Sequence, residues 1–541
     1  MPRLFGNACT TKLPHGDYYT NGCGKLNDFT PERLQAIKDL GCTHIWYIGV
    51  LDHATKTTFN DLLKGNHGAI VKGEAGSPYA VRDYYGIAPS LAVDIDRRME
   101  EFDALVKRTH EAGMGVIIDF VPNHLSRQYC SHTKPSYVHD FGADDNTTVA
   151  FAPNNNFYYF PGQTLSLPFG DECEDFSFSE FPAKATGNNL FCATPSKDDW
   201  YETVKLNYGI DLMGDWETYY DPLPDTWLKM MDILSFWASK GVDGFRCDMA
   251  ELVPTEFWTW AIGKLRKAYP DILFIGEIYR PDRYLEFIHS GFDYLYDKIG
   301  LYDLLIQVLK GNATTSQIGH VLFSQEAYKE YLIRFMENHD EQRIASDFIT
   351  GDGERAFPAM CLTALIDGNP LMTLFAQELG ERGMESEGFS GLDGRTSIFD
   401  YWSVDSMRQW LQDCGQKHPL RERYKKLLHL ASSPVFAEGA FYDLTYLDSS
   451  FSQRGLFVFL RAIFSKFALV VINFGEASQE VSVPIPRHAF DTLSLPNPLS
   501  AMVGNLDSFE CHDVDFTPDS HYVLQAKGYG ATIHLFTIKR P

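Results

Sequence analysis

The sequence predicts an α/β protein: a parallel (β/α)8 TIM barrel, interrupted after its third strand by a small inserted domain and followed by an antiparallel β-sandwich. Three observations lead there. Helical and strand-like periodicities alternate from Thr30 to about Phe375. From Ser126 to about Tyr208 the alternation stops, and the chain turns rich in Asn, Asp, Pro, Gly and aromatic residues, too long a stretch for a connector. Beyond about residue 430 short alternating strands take over, as in Gly455 to Arg461, Ala468 to Asn473 and Val481 to Ile485.

Thr30-Pro31-Glu32 reads as an N-cap with proline at the first helical position, and Leu34, Ile37 and Leu40 recur at helical spacing before Gly41. The apolar run from His44 to Val50 follows as a buried strand. Met99, Phe102, Val106 and His110 mark a second helix that closes at Gly113, before the strand from Val116. Trp227, Met230, Leu234 and Trp237 mark a third, which leads through Gly241 into the strand carrying Arg246 and Asp248. Ile262 to Tyr269 leads to Leu273–Glu277, and further strands are expected at Phe292–Tyr296, Leu332–Met336 and Pro370–Phe375. Seven strands are counted where a closed barrel needs eight. Either Arg3 to Phe5 forms a stub of the first strand or that strand is missing from this chain; the second is favoured, because the loop from Gly6 to Asp28 should hang from a strand end. The expected division is barrel over 1–124 and 209–430, inserted domain over 125–208 and β-sandwich over 431–541.

The 541-residue chain is too long for one core, so several domains are expected. No apolar run approaches the roughly 18 residues of a membrane span, and the start has no apolar h-region, so no signal peptide is visible. A net charge of −25 argues against nucleic acid or an anionic membrane as partner. The 14% of aromatic residues suits flat ligands such as sugar rings, although most must be core. Ten cysteines form no Cys-x-x-Cys pair, which argues against a zinc ribbon or thioredoxin-like site. Cys130, Cys173 and Cys192 share the loop-rich stretch, where a bridge could form in an oxidising compartment.

Chemistry concentrates at the C-terminal ends of the strands, where a parallel barrel carries its site. Arg246 and Asp248 are two apart, so they share a strand face and the guanidinium can keep the carboxylate ionised. A barrel-core ion pair explains those two residues equally well. Three further strand ends decide between the readings: Asp119-Phe-Val-Pro-Asn123-His124, Gly276-Glu277 and Glu337-Asn338-His339-Asp340. One acidic strand end can be a helix cap; four polar ends in succession are hard to explain that way. Glu277 follows an apolar run with no adjacent cation, so its carboxyl is expected to hold a proton near neutrality.

These four segments, in this order, resemble the signature regions of the α-amylase family, glycoside hydrolase family 13, and the likeness covers nearly the whole chain. It implies a retaining hydrolase of α-1,4-glucosidic bonds in starch, maltodextrin or related α-glucans, with Asp248 as nucleophile, Glu277 as general acid and base, and Asp340 as stabiliser of the oxocarbenium-like transition state. It further implies that His124 and His339 bind sugar hydroxyls, that Tyr79, in a segment resembling the family's Gly-Tyr-x-x-x-Asp-Tyr, stacks on the sugar, that Arg246 serves the same subsite, and that Arg343 buttresses Asp340. No organic cofactor is implied. Where relatives often place an Asp before Leu-Asn, Val204-Lys205-Leu206-Asn207 carries a lysine, which leaves Asn123 as the one matching calcium ligand and argues against calcium there. Lys205 also resembles the cyclomaltodextrinase and neopullulanase branch, so that activity or a glucanotransferase is the alternative. Met249-Ala250-Glu251-Leu252 lacks the Lys-His of many α-amylases. A non-catalytic α-glucan-binding protein is the rival of another class, but it would be expected to have lost one of the three acids.

Overall fold

A computed structural model describes residues 1–167, 178–384, 392–497, 499–505 and 511–539. The chain divides into two compact units, the first built on Met1–Leu295 with Ser397–Cys414, the second on Tyr296–Met384 with Gly415–Pro541.

The first unit carries the parallel strands β1 (His44–Tyr47), β2 (Gly115–Phe120), β3 (Gly244–Cys247) and β4 (Leu273–Gly276), and the start of β5 (Tyr294–Tyr296). They pair in chain order, with His44 opposite Gly115, Ile117 opposite Gly244, Leu273 opposite Gly244 and Ile275 opposite Tyr294. Each preceding helix does what its spacing requires. In α1 (Pro31–Leu40) the Thr30 side chain accepts from the Arg33 amide, and Gly41 takes the left-handed conformation at φ 116°. Helix α2 (Arg98–Glu111) buries Phe102, Leu105 and Val106. Helix α3 (Asp225–Ser239) buries Trp227, Met230, Leu234 and Trp237, each contributing about 1.5–3 kcal/mol. Helix α4 (Thr255–Leu265) precedes β4. Strands covered on both faces read as continuous apolar runs, which is why Val116, Ile117 and Ile118 are all buried. At Gly244 a Cβ would meet the Leu273 Cβ at 2.9 Å, so glycine there lets β3 lie close against β4.

Residues Pro2–Phe5, weighed above as a strand stub, form a helical turn with Pro2 at its start, a position that needs no amide hydrogen. Between β2 and α3 the chain forms short antiparallel pairs, His124–Ser126 with Thr203–Lys205 and Tyr159–Phe160 with Ala183–Lys184. It has its own apolar cluster of Tyr158, Phe160, Leu165, Ala183, Ala185 and Ala193. Cys130 and Cys192 are free thiols, so the bridge considered above is not formed between them, and Cys173 lies outside the described residues.

In the second unit β6 (Leu332–Phe335) and β7 (Leu371–Met372) are parallel, with Arg334 opposite Leu371. Just past β5, the Asp297 amide donates to the Ile333 carbonyl. The C-terminal strands are β8 (Ala440–Asp443), β9 (Leu456–Ile463), β10 (Lys466–Asn473), β11 (Gln479–Ile485), β12 (Leu499–Asn505), β13 (Cys511–Phe516), β14 (Ser520–Ala526) and β15 (Gly530–Ile538). They form a sheet ordered β8-β9-β10-β15-β12-β13 and a separate β11-β14 pair, all antiparallel. Val481, Val483 and Ile485 of β11 alternate into one core with Leu456, Val458 and Leu460 of β9. The fold class is the expected one, a (β/α)8-type barrel chain with a C-terminal antiparallel β domain. Among the described residues no helix is long and apolar enough to cross a membrane.

Candidate active site

Strands β3 and β4 run in register, Cys247 opposite Gly276, so Asp248 and Glu277 stand level just beyond the strand ends. Arg246, 1% exposed, reaches both. Its Nη1 lies 2.7 Å from Asp248 Oδ1 and 3.5 Å from Asp119 Oδ1, and its Nη2 lies 2.7 Å from Glu277 Oε2. The expectation that Glu277 has no cation beside it is therefore corrected. Chain neighbours of Glu277 are apolar, but Arg246 lies opposite Ile275 on the adjacent strand and is long enough to reach past it.

Two further donors hold Glu277. Met249 sits in the left-handed region at φ 43°, an uncommon place for a side-chain-bearing residue. Its amide donates to Glu277 Oε2 at 2.8 Å. The Tyr279 hydroxyl donates to Oε1 at 2.7 Å. The rings of Trp46 and Tyr79 each lie 5.2 Å from the Arg246 guanidinium carbon, adding cation–π attraction to the fork. The Tyr79 hydroxyl reaches Asp119 Oδ1 at 3.5 Å, and Asp119 Oδ2 accepts from the Gly49 amide at 3.1 Å. Arg246, grouped above with the sugar-binding residues, makes its described contacts with the acids and these two rings.

His124 Nε2 lies 4.0 Å from Asp248 Oδ2, with the Trp200 ring 5.2 Å from the imidazole. Burial pushes the imidazole down to about 3, helped by the Lys205 and Lys72 cations, so the ring is neutral near pH 7. The Tyr84 hydroxyl fixes this strand end, its one proton lying between the Val121 carbonyl at 2.6 Å and the His124 carbonyl at 2.9 Å. Asn123 donates to the Gly187 carbonyl at 2.8 Å, and its Oδ1 accepts from the Lys205 ammonium, which also donates to the Leu252 carbonyl at 3.0 Å. A calcium ion requires several oxygen ligands around it. Here an ammonium already occupies the Asn123 oxygen, so these residues do not fit calcium.

The second unit presents the fourth strand end. Asn338 Oδ1 accepts from the amides of Asp340 and Glu341 at 2.9 and 3.0 Å, shaping the turn after β6. His339 Nε2 lies 2.9 Å from Asp340 Oδ2. Arg343 was expected to buttress Asp340, and this too is corrected. Its Nη1 pairs with Glu337 Oε2 at 2.8 Å and donates to the Phe375 carbonyl at 2.9 Å, while its Nε donates to Thr396 at 3.1 Å. Three residues of spacing would serve a helix; here the chain turns after β6, and the buried Glu337 takes the cation. Burial raises the Glu337 carboxyl above its ordinary value and Arg343 opposes that rise.

The structure thus brings Asp248, Glu277, Arg246, His124 and Tyr79 together in the first unit and places His339, Asp340 and Arg343 in the second. Sequence reasoning passed over Tyr279, although the same two-residue spacing that pairs Arg246 with Asp248 pairs Tyr279 with Glu277. Met249 gave no signal, since its role lies in its backbone conformation.

Residues 15–419 match the family model described as alpha amylase, catalytic domain. Alpha-amylase 3 of Dictyoglomus thermophilum is 23% identical over 434 residues, covering 75% of this chain and 72% of its own. A cyclomaltodextrin glucanotransferase of Geobacillus stearothermophilus is 25% identical over 68% of this chain, which spans only 47% of that protein's length. Among solved structures, a maltogenic α-amylase from Thermotoga neapolitana shares the fold at a TM-score of 0.63, with 19% identity and 94% of each chain covered.

Proposed function

The chain belongs to the α-amylase family, an enzyme family of glycoside hydrolases, and on that premise we propose that it cleaves α-1,4-glucosidic bonds of starch, maltodextrin or related α-glucans with retention, through a covalent glycosyl-enzyme. The observation that carries this reading is the Arg246 fork, which ties the Asp248 and Glu277 carboxyls to one guanidinium at neighbouring strand ends. Retaining glycosidases need a nucleophile and an acid only about 5 Å apart across the scissile bond. Asp248, held as a carboxylate by Arg246, attacks the anomeric carbon. Glu277 delivers a proton to the leaving oxygen, and in the second half it takes one from the incoming water. Asp340, half open to solvent and steadied by His339, binds hydroxyls of the distorted ring. His124, neutral and beside Asp248, donates to a hydroxyl of the same sugar, and Tyr79 contributes an aromatic face at the cleavage site.

A cyclomaltodextrinase or neopullulanase type, or a glucanotransferase, is favoured as second reading by Lys205 at the junction with Asn123. Chromatography of products from soluble starch, cyclodextrin and pullulan separates these. The enzyme reading itself is tested by maltoheptaose hydrolysis. Wild type should release reducing ends, while Asp248→Asn and Glu277→Gln should each fall by at least about a thousandfold. Equal activity in all three proteins contradicts the reading.

A further inference from the structure

The two oxygens of Glu277 live in different surroundings. Oε2 faces the Met249 amide at 2.8 Å and Arg246 Nη2 at 2.7 Å, groups that can only donate. A carboxyl proton placed on Oε2 would meet the Met249 amide hydrogen, which cannot turn away, and would sit beside the Arg246 cation. Oε1 faces the Tyr279 hydroxyl at 2.7 Å, a group able to donate to a carboxylate or to accept from a carboxylic acid. Tyr279 is held in place by its own amide, which donates to Glu251 Oε2 at 2.9 Å, and its side chain is half-buried, so it is not part of the packed core.

We propose that Tyr279 is a positioning residue that makes Oε1 of Glu277 the proton-bearing oxygen of the reaction. This rests on the acid/base reading of Glu277. In the protonated enzyme the Oε1 hydroxyl is accepted by Tyr279. As Asp248 forms its bond to the anomeric carbon and the bond to the leaving oxygen breaks, the Oε1 proton passes to that oxygen. Glu277 becomes a carboxylate, and the Tyr279 hydroxyl turns to donate to it. When water attacks and the bond from the anomeric carbon to Asp248 breaks, the water proton returns to Oε1 and Tyr279 turns back. Tyr279 gains and loses no proton over the cycle. Its hydroxyl supplies a hydrogen bond that follows the charge, where a fixed cation would favour only the ionised form.

Tyr279→Phe is compared with wild type and Glu277→Gln on maltoheptaose and on p-nitrophenyl α-maltotrioside, whose good leaving group needs little acid help. Loss of one hydrogen bond to a charged group should lower kcat on maltoheptaose by about tenfold with little change in KM. The alkaline limb of the kcat/KM profile should move to higher pH, because the ionised form has lost a donor. The defect should be smaller on the aryl substrate, and Tm should not change. A Tyr279→Phe protein with wild-type kcat and pH profile overturns the proposal. So does an equal loss on both substrates with an unmoved profile, which would mark a structural role. If wild type does not hydrolyse maltoheptaose, or Glu277→Gln matches it, the acid/base reading falls and the role of Tyr279 falls with it.

Discussion

Arg246 faces three carboxylates, those of Asp119, Asp248 and Glu277, from a position almost sealed from water. Around Glu277 the fixed Met249 amide donor lies on Oε2 and the reversible Tyr279 hydroxyl on Oε1, which makes Oε1 the oxygen suited to carry the proton during the reaction. His124 makes a separate pH argument. Its folded-state value is pushed down to about 3 from an ordinary 6.5, chiefly by burial. Between those values the unfolded chain binds a proton that the folded chain refuses, so stability is full above the upper value and is lost as pH falls towards the lower one, by about 1.4 kcal/mol per pH unit. Tm measured between about pH 6.5 and pH 4.5 should therefore decline less steeply in His124→Gln than in wild type; identical slopes would contradict the buried neutral ring. Of this cluster, the Arg246–Asp248 pair was legible because period-two alternation acts along one strand. The Arg246–Glu277 contact was not, since it depends on which strand lies alongside and in what register.

The strand ends work as a set because β2, β3 and β4 are in parallel register, with Asp248 and Glu277 directly after β3 and β4 and Asn123 and His124 three and four residues past the end of β2. Lys205 joins the Thr203–Lys205 strand to the end of β2 through Asn123, and to the turn after β3 through Leu252. Burial pushes its ammonium down to about 7, so the contact is strongest in mildly acidic solution. Lys205→Met would strand the Asn123 and Leu252 oxygens, at about 1–3 kcal/mol for each group. A clear fall in Tm is expected near pH 6, while neither chelator nor added calcium should move the wild-type Tm. A calcium-dependent rise in the wild-type Tm would refute the account of this junction. The lysine was visible in the sequence as a departure from a carboxylate. Its two partners were not, because Leu252 contributes a backbone carbonyl that carries no residue signal. Arg343 was misassigned for a related reason: spacing alone cannot distinguish Glu337 from Asp340 when the chain between them turns.

Most of the architecture could be read from the chain because its elements repeat one pattern. Helices with apolar faces precede strands that are mostly apolar, broken by Asp119 in β2, Arg246 in β3 and Arg334 in β6, and both patterns survive in the structure at α1, α2 and α3 and at β1 to β7. The C-terminal strands announce themselves by alternation, as β11 does at Val481, Val483 and Ile485. The Pro2–Phe5 helix was less legible, since four residues are too few to display a period. The candidate chemistry was legible as four polar strand ends, whereas the hydrogen bonds that divide the labour among them were not. Net charge of −25 suits a neutral glucan partner better than any polyanion. The assignment of Asp248 as nucleophile and Glu277 as acid is open to one direct test. A glycosyl fluoride supplies a leaving group that needs no acid, so Glu277→Gln treated with α-maltotriosyl fluoride should accumulate the covalent intermediate. Peptide mass analysis of that protein should find one maltotriosyl adduct on Asp248; an adduct on another residue, or none while fluoride is released, would contradict it.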